Sequence, residues 1–306
     1  MESIQILLAT FNGARYLPEQ LASLQNQTEQ NFSLLISDDG STDGTVDILR
    51  DFADRWQGRV EFATHEVPFG SARDNFFWLM EQSSADYVLF CDQDDVWNSD
   101  KLKKTLAGLR ALEQGNPEMP VLFFTDQTPV DANLKPIAPS LMRMQQQDAS
   151  QIDYRRILFQ NIVTGCAAGA NRAAVQLALK CCDRQGVIMH DWWLGLAVAR
   201  FGKIGYLDES TLLYRQHGGN SVGAKRVGSL GHIVNKLTHL KQLRQVILRK
   251  KKQAAVFYAT YQEQLSGQEA EFLQQFAKSH SGWRFFWRNR SWINGAWRKA
   301  GFALLG

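Results

Sequence analysis

The chain has 306 residues, of which 44% are hydrophobic and 21% charged, and its formal net charge at pH 7 is +3. These values predict a globular protein with a substantial core, large enough for one α/β domain and an appendage. They argue against an integral membrane protein, because no apolar run approaches the roughly 18 residues needed to cross a bilayer.

Charge is unevenly distributed along the sequence. Residues 1–222 carry 19 basic and 28 acidic side chains, whereas residues 223–306 carry 15 basic and 3 acidic ones. An acidic part suits a metal cation, and a basic part suits phosphates on a membrane or a nucleic acid. The four cysteines lack metal-finger spacing and no N-terminal stretch has the pattern of a secretory signal, so we expect a reducing cytoplasm.

Apolar runs of strand type alternate with helical periods through the first part of the sequence. The predicted strands span residues 4–9, 32–37, 60–63 and 87–91, and the predicted helices span 18–26, 45–56, 71–82 and 101–114. This alternation predicts an α/β fold with a mainly parallel central sheet flanked by helices. In such sheets ligands bind beyond the carboxyl ends of the strands.

The alternation loosens after about residue 115. Further strands are predicted at 121–125 and 212–215, and a further helix at 190–201. The polar segment 140–151 is predicted to be a mobile loop and a candidate lid, and the small-residue segment 161–171 is predicted to lead into a helix.

Three carboxylates, Asp92, Asp94 and Asp95, follow the strand predicted at 87–91. Like charges this close repel one another, so the cluster stays ionised only when it is solvated, hydrogen-bonded or bound to a metal. Divalent magnesium or manganese prefers oxygen ligands, and such an ion holding a diphosphate fits this composition.

Four motifs in series resemble those of one known family. They are Ala-Thr-Phe-Asn-Gly at 9–13, Ser-Asp-Asp-Gly-Ser-Thr-Asp-Gly-Thr at 37–45, Asp-Gln-Asp-Asp-Val-Trp at 92–97 and His-Asp-Trp-Trp at 190–193. Over about residues 3–222 their order and spacing resemble the inverting family 2 glycosyltransferases, and most closely a bacterial rhamnosyltransferase-like branch. The resemblance implies a GT-A catalytic domain at 1–222, followed by a helical, basic and aromatic C-terminal extension at 223–306.

The resemblance also implies a nucleotide-sugar site. Thr10 and Asp39 are expected to contact a pyrimidine, Asp38 to support the loop, and Arg73 to reach the diphosphate. The full predicted set is Thr10, Asn12, Asp38, Asp39, Arg73, Asp92 and Gln93. From the residues alone, the segment 37–45 is equally typical of turns and helix caps, and Arg73 of an ordinary surface position.

The predicted metal ligands are Asp94, Asp95 and His217, and the predicted ion is Mg²⁺ or Mn²⁺. The ion would neutralise the charge that develops on a departing nucleoside diphosphate. Asp92 is expected to contact the ribose or a water on the metal. For Asp95, holding the loop or capping the following helix is the alternative, and for His217 the alternative is a hydrogen bond to a phosphate.

Inversion needs a base that removes the proton of the acceptor hydroxyl. Asp191 is the predicted base, because it starts a predicted helix beside aromatic side chains that raise its proton affinity; a simple N-cap is the alternative. The acceptor pocket is predicted to contain Gly165, Cys166, His190, Trp192, Trp193 and Arg215. For His190 and for the small residues near Cys166, a purely structural role is the alternative.

Apolar and aromatic residues recur among cations in the C-terminal extension. Ile233, Leu237, Leu240, Leu243 and Ile247 have helical spacing, and Trp283, Phe286, Trp287, Ile293 and Trp297 lie among arginines. The pattern predicts that residues 230–306 contact an anionic membrane surface, with packing on the catalytic domain as an alternative compatible with it.

The leading hypothesis is a metal-dependent inverting glycosyltransferase of O-antigen or capsule synthesis. It would use a UDP- or dTDP-sugar donor and a glycan or polyprenyl-diphosphate-linked acceptor, at the cytoplasmic face of the inner membrane. An aspartate-nucleophile phosphohydrolase is the alternative, because residues 92–96 fit its DxDxV pattern. No nucleic acid is expected as a partner, since no motif that reads DNA or RNA accompanies the basic residues.

Overall fold

One mixed sheet forms the centre of the protein, for which a computed structural model describes residues 2–150, 152–217, 240–278 and 282–293. Its strands are β1 (Ile4–Thr10), β2 (Ser33–Asp38), β3 (Val60–Phe62), β4 (Tyr87–Asp92), β5 (Val96–Trp97), β6 (Val121–Val130), β7 (Ala168–Asn171) and β8 (Lys203–Arg215). Their order is β3-β2-β1-β4-β7-β6-β8-β5. Only β7 and β5 run antiparallel to their neighbours in this sheet, so the expected mainly parallel arrangement is confirmed.

Helices cover both faces of the sheet. They are α1 (Leu17–Gln25), α2 (Thr45–Arg55), α3 (Ala72–Gln82), α4 (Lys101–Glu113), α5 (Leu141–Met144), α6 (Tyr154–Phe159), α7 (Arg172–Leu179), α8 (His190–Phe201), α9 (Leu240–Tyr261), α10 (Gly267–Lys278) and α11 (Gly282–Asn289). Within the described ranges, no helix combines the length and the apolar character that a membrane crossing requires.

Alternate residues of β1 belong to two separate apolar clusters, one on each face of the sheet. Ile6 and Leu8 pack in a cluster with α1, α2 and α4, whereas Leu7 packs in the cluster that contains α3 and α8. Successive side chains of a strand point to opposite faces, so a strand that is covered on both sides is apolar throughout. This burial holds the carboxyl ends of β1, β2 and β4 in fixed positions.

The centre of the sheet contains one strand, β7, that the sequence does not predict. The segment 161–171 leads into the helix α7, as predicted, but its last residues, Ala168–Asn171, form a strand between β4 and β6. A Cβ on Gly169 would lie 3.2 Å from the backbone oxygen of Val88 and 2.8 Å from Thr105 Cγ2. Small residues here permit close packing, and this tertiary contact outweighs their weak strand propensity.

The strands β6 and β8 are longer than predicted, and the two pair in parallel along most of their lengths. Residues 203–210 of β8 are polar or only partly buried, so they lack the apolar alternation that marks a strand. The predicted mobile loop at 140–151 contains α5, whose Leu141 and Met142 are buried. Its lid role stays a prediction.

The described part of the C-terminal extension packs into the catalytic core. Phe257 and Tyr261 of α9 are fully buried, and their ring centroids lie 5.7 Å and 5.9 Å from that of Trp193. The packing alternative therefore holds for α9. The predicted domain boundary at 222/223 lies outside the described residues. So do three residues of the predicted membrane surface, Ile233, Leu237 and Trp297.

Candidate active site

The ends of three neighbouring strands bring several predicted site residues to one edge of the sheet. In the strand register Thr10 lies opposite Asp38, and Ala9 lies opposite Asp92. Thr10 Oγ1 donates a 2.7 Å hydrogen bond to Asp38 Oδ2, and Asp38 Oδ1 accepts from the backbone N–H of Ser41 at 2.8 Å. Asp38 therefore holds Ser41 in the loop after β2 through these hydrogen bonds.

Asn12 joins the loop after β1 to the loop after β2. Its backbone has φ 47°, a left-handed conformation that Asn tolerates better than most residues. Its Oδ1 accepts from the N–H of Thr42 at 2.8 Å, and its own N–H donates to Ser41 Oγ at 2.7 Å. Asn12 thus holds these two loops together, and its contact with a nucleotide stays a prediction.

The carboxylate of Asp39 is buried, and its two oxygens accept from the backbone N–H groups of Phe69 and Ser71. It therefore also orders the segment that leads into α3. The expected contact between Asp39 and a pyrimidine stays a prediction.

Gln93 and Arg73 both use their side chains to hold backbone segments. Gln93 forms a pair of hydrogen bonds with the backbone of Phe11, one accepted at 2.8 Å and one donated at 2.9 Å. Arg73 donates to both carboxylate oxygens of Asp74 and to the carbonyl of Val187 at 2.9 Å. Arg73 is thus tied to the loop before α8, and the simple surface alternative does not describe it.

The acidic residues after β4 form an electrostatically strained cluster. Burial and the neighbouring carboxylates of Asp94 and Asp191 raise the pKa of Asp92 to about 7. Burial and the charges of Asp94 and Asp92 also raise the pKa of Asp95 well above its ordinary value. A cation placed among these groups would relieve the repulsion and the cost of burial.

Asp95 is fully buried and does not cap α4, whose N-cap is Asp100. Its Oδ1 accepts from the backbone N–H of Arg215 at 3.1 Å, and its Oδ2 has no hydrogen-bond partner within the described ranges. The capping alternative is therefore wrong. A buried carboxylate oxygen without a partner fits a cation site.

The oxygen atoms of this cluster fit a divalent cation better than its sulfur does. Three atoms lie within 4.8 Å of one another: a carboxylate oxygen of Asp92, a carboxylate oxygen of Asp95 and Sγ of Cys166. Burial raises the pKa of the Cys166 thiol well above its ordinary value, so it stays protonated. Magnesium and manganese favour oxygen, which leaves the carboxylates as the suitable ligands.

His217 reaches the same cluster from the end of β8. Its Nε2 lies 2.6 Å from Asp94 Oδ2, within hydrogen-bonding distance. Its ring centroid lies 4.8 Å from that of Tyr16, which supports the imidazole from the other side. The structure thus brings Asp94 and His217 together, and their binding of a metal stays a prediction.

Arg215 lies behind the acidic loop, and only 1% of its surface is exposed. Its Nε donates to the backbone carbonyl of Asp94 and its Nη1 to that of Ala132, both at 2.7 Å, while its Nη2 pairs with Glu19. This position differs from the predicted acceptor pocket. Arg215 instead fixes the backbone that carries Asp94 and Asp95.

Asp191 lies in the first turn of α8, after the N-cap residue Met189. Its Oδ2 accepts from the N–H of Gly165 at 2.9 Å, and its Oδ1 lies 3.3 Å from Asn161 Nδ2. Burial outweighs these hydrogen bonds and raises the pKa of Asp191 to about 6. Such a carboxylate is ionised near neutral pH and has a proton affinity suited to a general base.

His190 is buried between aromatic rings, with its centroid 4.0 Å from that of Phe76 and 5.1 Å from that of Phe90. Burial lowers the pKa of His190 to about 3, so the ring is neutral. A Cβ on Gly165 would lie 2.8 Å from His190 Nε2. Gly165 therefore leaves the space that the imidazole occupies beside Asp191.

The two tryptophans after Asp191 point to different environments. Trp192 is partly buried and donates from Nε1 to the carbonyl of Ile157 at 2.7 Å. Trp193 is fully buried and donates to the carbonyl of Ala178 at 2.9 Å. Trp193 belongs to the core, so its position does not support the predicted contact with an acceptor.

Three residues of this region were not identified from the sequence. Tyr16 and Glu19 contact Arg215, and Asn161 binds the carboxylate of Asp191. Arg215 and Glu19 are 196 positions apart, so no local spacing reveals their pairing. For Asn161, the sequence offered one indication, namely that a polar residue begins the small-residue segment 161–171.

Comparisons with known proteins identify the family of this chain. A family model described as Glycosyl transferase family 2 matches residues 5–170. The dTDP-rhamnosyl transferase RfbG of Shigella flexneri is 29% identical over 229 residues, which cover 71% of this chain and 74% of that protein. The UDP-Glc:alpha-D-GlcNAc-diphosphoundecaprenol beta-1,3-glucosyltransferase WfgD of Escherichia coli is 28% identical over 104 residues, 34% of this chain and 40% of that protein.

Solved structures share the architecture. TarS 1–349 of S. aureus in complex with UDP-GlcNAc has a TM-score of 0.57 at 16% identity and covers 98% of this chain and 88% of its own. The mannosyltransferase PcManGT from Pyrobaculum calidifontis, in complex with GDP-Man and Mn²⁺, has a TM-score of 0.53 at 12% identity. The match covers 97% of this chain and 77% of that chain.

These likenesses confirm the expected GT-A fold. The aspartate-nucleophile phosphohydrolase alternative has no support here, and Asp92 is the last residue of the fourth strand of the chain, whereas that motif usually lies on the first. The family model covers more than half of the chain. The protein is therefore a glycosyltransferase and belongs to glycosyl transferase family 2.

Proposed function

We propose that this enzyme is a metal-dependent, inverting glycosyltransferase that uses a UDP- or dTDP-sugar in the synthesis of a bacterial surface polysaccharide such as O-antigen or capsule. One observation carries the proposal: Asp191, a carboxylate with a pKa of about 6, lies close enough to Asp92 for its charge to raise the pKa of that residue. The predicted base, Asp191, therefore lies next to Asp92 of the predicted donor site.

The donor site is the edge formed by the ends of β1, β2 and β4. Thr10 and Asp38 are joined there, and Asn12 and Gln93 order the surrounding loops. A pyrimidine donor is supported by the names of two similar proteins, one a dTDP-rhamnosyl transferase and the other bound to UDP-GlcNAc.

The metal site comprises Asp94 with His217, next to the carboxylates of Asp92 and Asp95. A bound Mg²⁺ or Mn²⁺ would act as a Lewis acid toward the diphosphate of the leaving group. Arg215 keeps the loop in place by holding the carbonyl of Asp94 and donating its backbone N–H to Asp95. The Mn²⁺ in the complex of PcManGT supports this assignment.

Asp191 is the base. Its carboxylate takes the proton of the acceptor hydroxyl as that oxygen attacks the anomeric carbon from the face opposite the diphosphate, which inverts the configuration. The N–H of Gly165 and the amide of Asn161 hold the carboxylate in one orientation. The neutral ring of His190 excludes water from one side of this group.

The acceptor is a sugar linked to a lipid diphosphate, and the enzyme works at the cytoplasmic face of the inner membrane. The acceptor named for WfgD, a diphosphoundecaprenol-linked sugar, supports this class. The described extension offers an exposed Trp287, with the guanidinium of Arg290 4.5 Å from its ring centroid. Tryptophan and arginine together suit an anionic headgroup region.

The decisive experiment uses purified protein with Mn²⁺ and a panel of UDP- and dTDP-sugars. We expect a metal-dependent rise in melting temperature with one donor, and release of its nucleoside diphosphate when a lipid-diphosphate sugar is added. Nuclear magnetic resonance of the product would give the anomeric configuration. A folded protein that takes up no pyrimidine diphosphate, with or without Mn²⁺, would contradict the proposal.

A further inference from the structure

A basic cavity of about 410 Å³ lies between the start of α3, the loop before α8, and α9. Residues 71–73 and 185–189, together with Arg249 and Lys252, line it. Three of these side chains, Arg73, Arg249 and Lys252, are cationic, and no lining residue is acidic. The cavity therefore suits an anion.

Fixed contacts between α9 and the loop define the cavity. Lys252 Nζ donates to the carbonyl of Gln185 at 3.2 Å, and the buried side chain of Gln253 accepts from the N–H of Ile188 at 2.9 Å. A Cβ on Gly186 would lie 2.4 Å from Val256 Cγ2. Because the two segments pack this closely, the helix α9 and the side chain of Lys252 hold a defined position against the loop.

The three cations differ in how far they are neutralised. Arg73 pairs with Asp74 at 2.6 Å, and Lys252 lies 3.8 Å from a carboxylate oxygen of Asp183. Arg249 has no hydrogen bond or ion pair with any residue in the part of the chain that the structure describes. Arg249 and Lys252 are three positions apart on one helix, a spacing at which two side chains face the same ligand. A guanidinium and an ammonium group so placed match the oxygens of a phosphate.

The cavity is next to the predicted base. Its lining segment ends at Met189, two residues before Asp191. Met189 thus connects the wall of the cavity to the first turn of α8, which carries Asp191. One turn before Arg249, Val246 is 45% exposed, and the neighbouring Leu248 is 52% exposed. Apolar surface thus accompanies the cationic one, as an anion attached to a lipid would require.

We propose that this cavity binds the diphosphate of the lipid-linked acceptor, with Arg249 and Lys252 as the phosphate-binding side chains. The inference rests on the proposed function and specifies how its acceptor is recognised. It assigns α9 a role in the selection of substrate, in addition to its packing on the core.

Calorimetric titration with farnesyl diphosphate, without divalent metal, tests the inference on the full chain. We expect the wild type to bind it and the Arg249→Gln/Lys252→Gln double variant to bind it about 100-fold more weakly, at roughly tenfold for each charge-assisted hydrogen bond lost. Arg244→Gln is the matched control, because this exposed residue of α9 does not line the cavity. UDP affinity with Mn²⁺ should be unchanged in every variant.

Equal binding of farnesyl diphosphate by the wild type and the double variant would overturn the inference, as would equally tight binding of farnesol or of inorganic pyrophosphate. Loss of UDP affinity in the double variant would assign the cavity to the donor and would also overturn it. If the wild type binds farnesyl diphosphate but no pyrimidine diphosphate, the proposed function fails while the diphosphate site stands.

Discussion

His217 Nε2 lies 2.6 Å from Asp94 Oδ2, so the end of β8 meets the acidic loop after β4 across 123 positions of sequence. The contact orients one carboxylate at the edge of the sheet where the donor is proposed to bind. Because the imidazole is held by Tyr16 on its other side, its position does not depend on the carboxylate alone.

Substitution at this pair should test the proposed metal site. Asp94→Ala should abolish the Mn²⁺-dependent thermal protection by UDP or dTDP, because the ion loses a charged ligand. His217→Gln should weaken Mn²⁺ binding by roughly 10- to 100-fold, because the site loses the imidazole that lies 2.6 Å from Asp94 Oδ2. Thermal-shift titration with Mn²⁺ measures both. Asp208→Asn, a 60% exposed side chain, is the control, and protection that persists in Asp94→Ala would remove this ligand assignment.

Asp191→Asn should keep donor binding and lose transfer by about 10²–10⁴-fold, since the amide cannot accept the proton of the hydroxyl. Single-turnover transfer and UDP titration measure the two properties separately. Full transfer activity in this variant would eliminate Asp191 as the base.

The pH profile follows from the raised pKa of Asp191. Burial raises this pKa to about 6, so the carboxyl group is protonated and inactive as a base below that pH and ionised above it. We expect kcat/KM to fall about tenfold for each pH unit below 6 and to level off above about pH 7. Asn161→Ala removes a hydrogen bond to the ionised form, which should move this limb to higher pH. An acid limb that stays in place in Asn161→Ala would contradict the assignment.

Arg215→Lys should destabilise the acidic loop. A single ammonium group cannot reach the carbonyls of Asp94 and Ala132 together, so one buried acceptor loses its partner. We expect a loss of about 2–3 kcal/mol in the free energy of unfolding, measured with urea, and weaker Mn²⁺ binding. Arg143→Lys, whose ion pair with Asp208 is largely exposed, should change stability by less than about 0.5 kcal/mol. Equal effects of the two substitutions would contradict the role given to Arg215.

Gly202→Ala should destabilise the junction between α8 and β8. The added Cβ would lie 2.0 Å from the backbone oxygen of Pro120, and a backbone atom cannot rotate away as a side chain can. We expect a cost of roughly 1–3 kcal/mol in urea unfolding. Gly267→Ala is the matched control, because nothing lies within 4 Å of its added Cβ, and a gain in helix propensity is expected. Comparable losses in both variants would disprove the steric explanation.

Membrane attachment should depend on charge at the end of the described extension. Arg288→Gln with Arg290→Gln should reduce co-sedimentation with anionic vesicles by an order of magnitude or more, because each cation near such a surface contributes about 1 kcal/mol. Arg50→Gln on α2 is the control, with a side chain that is 71% exposed. Undiminished sedimentation of the double variant would argue against contact at these arginines.

Local pattern was sufficient for the first half of the fold. The predicted strands at 4–9 and 87–91 became Ile4–Thr10 and Tyr87–Asp92, because a strand buried on both faces is a continuous apolar run that ends where polar residues begin. Since parallel strands end at one edge, the sequence also indicated that Thr10, Asp38 and Asp92 would lie close together. That edge is the one at which the structure places them.

Tertiary structure decided what local pattern does not contain. Ala168–Asn171 is a strand because β4 and β6 leave room only for small side chains between them. The helix α9 belongs to the core because its Phe257 and Tyr261 rings pack against Trp193. By itself the sequence determined the type of chemistry, since turn-forming, acidic and aromatic motifs are local. The partners of Arg215 lie far from it in sequence, and so do Arg249 and Lys252 of α9 from the other residues that line the basic cavity. These contacts form only when the distant segments pack together in the folded chain.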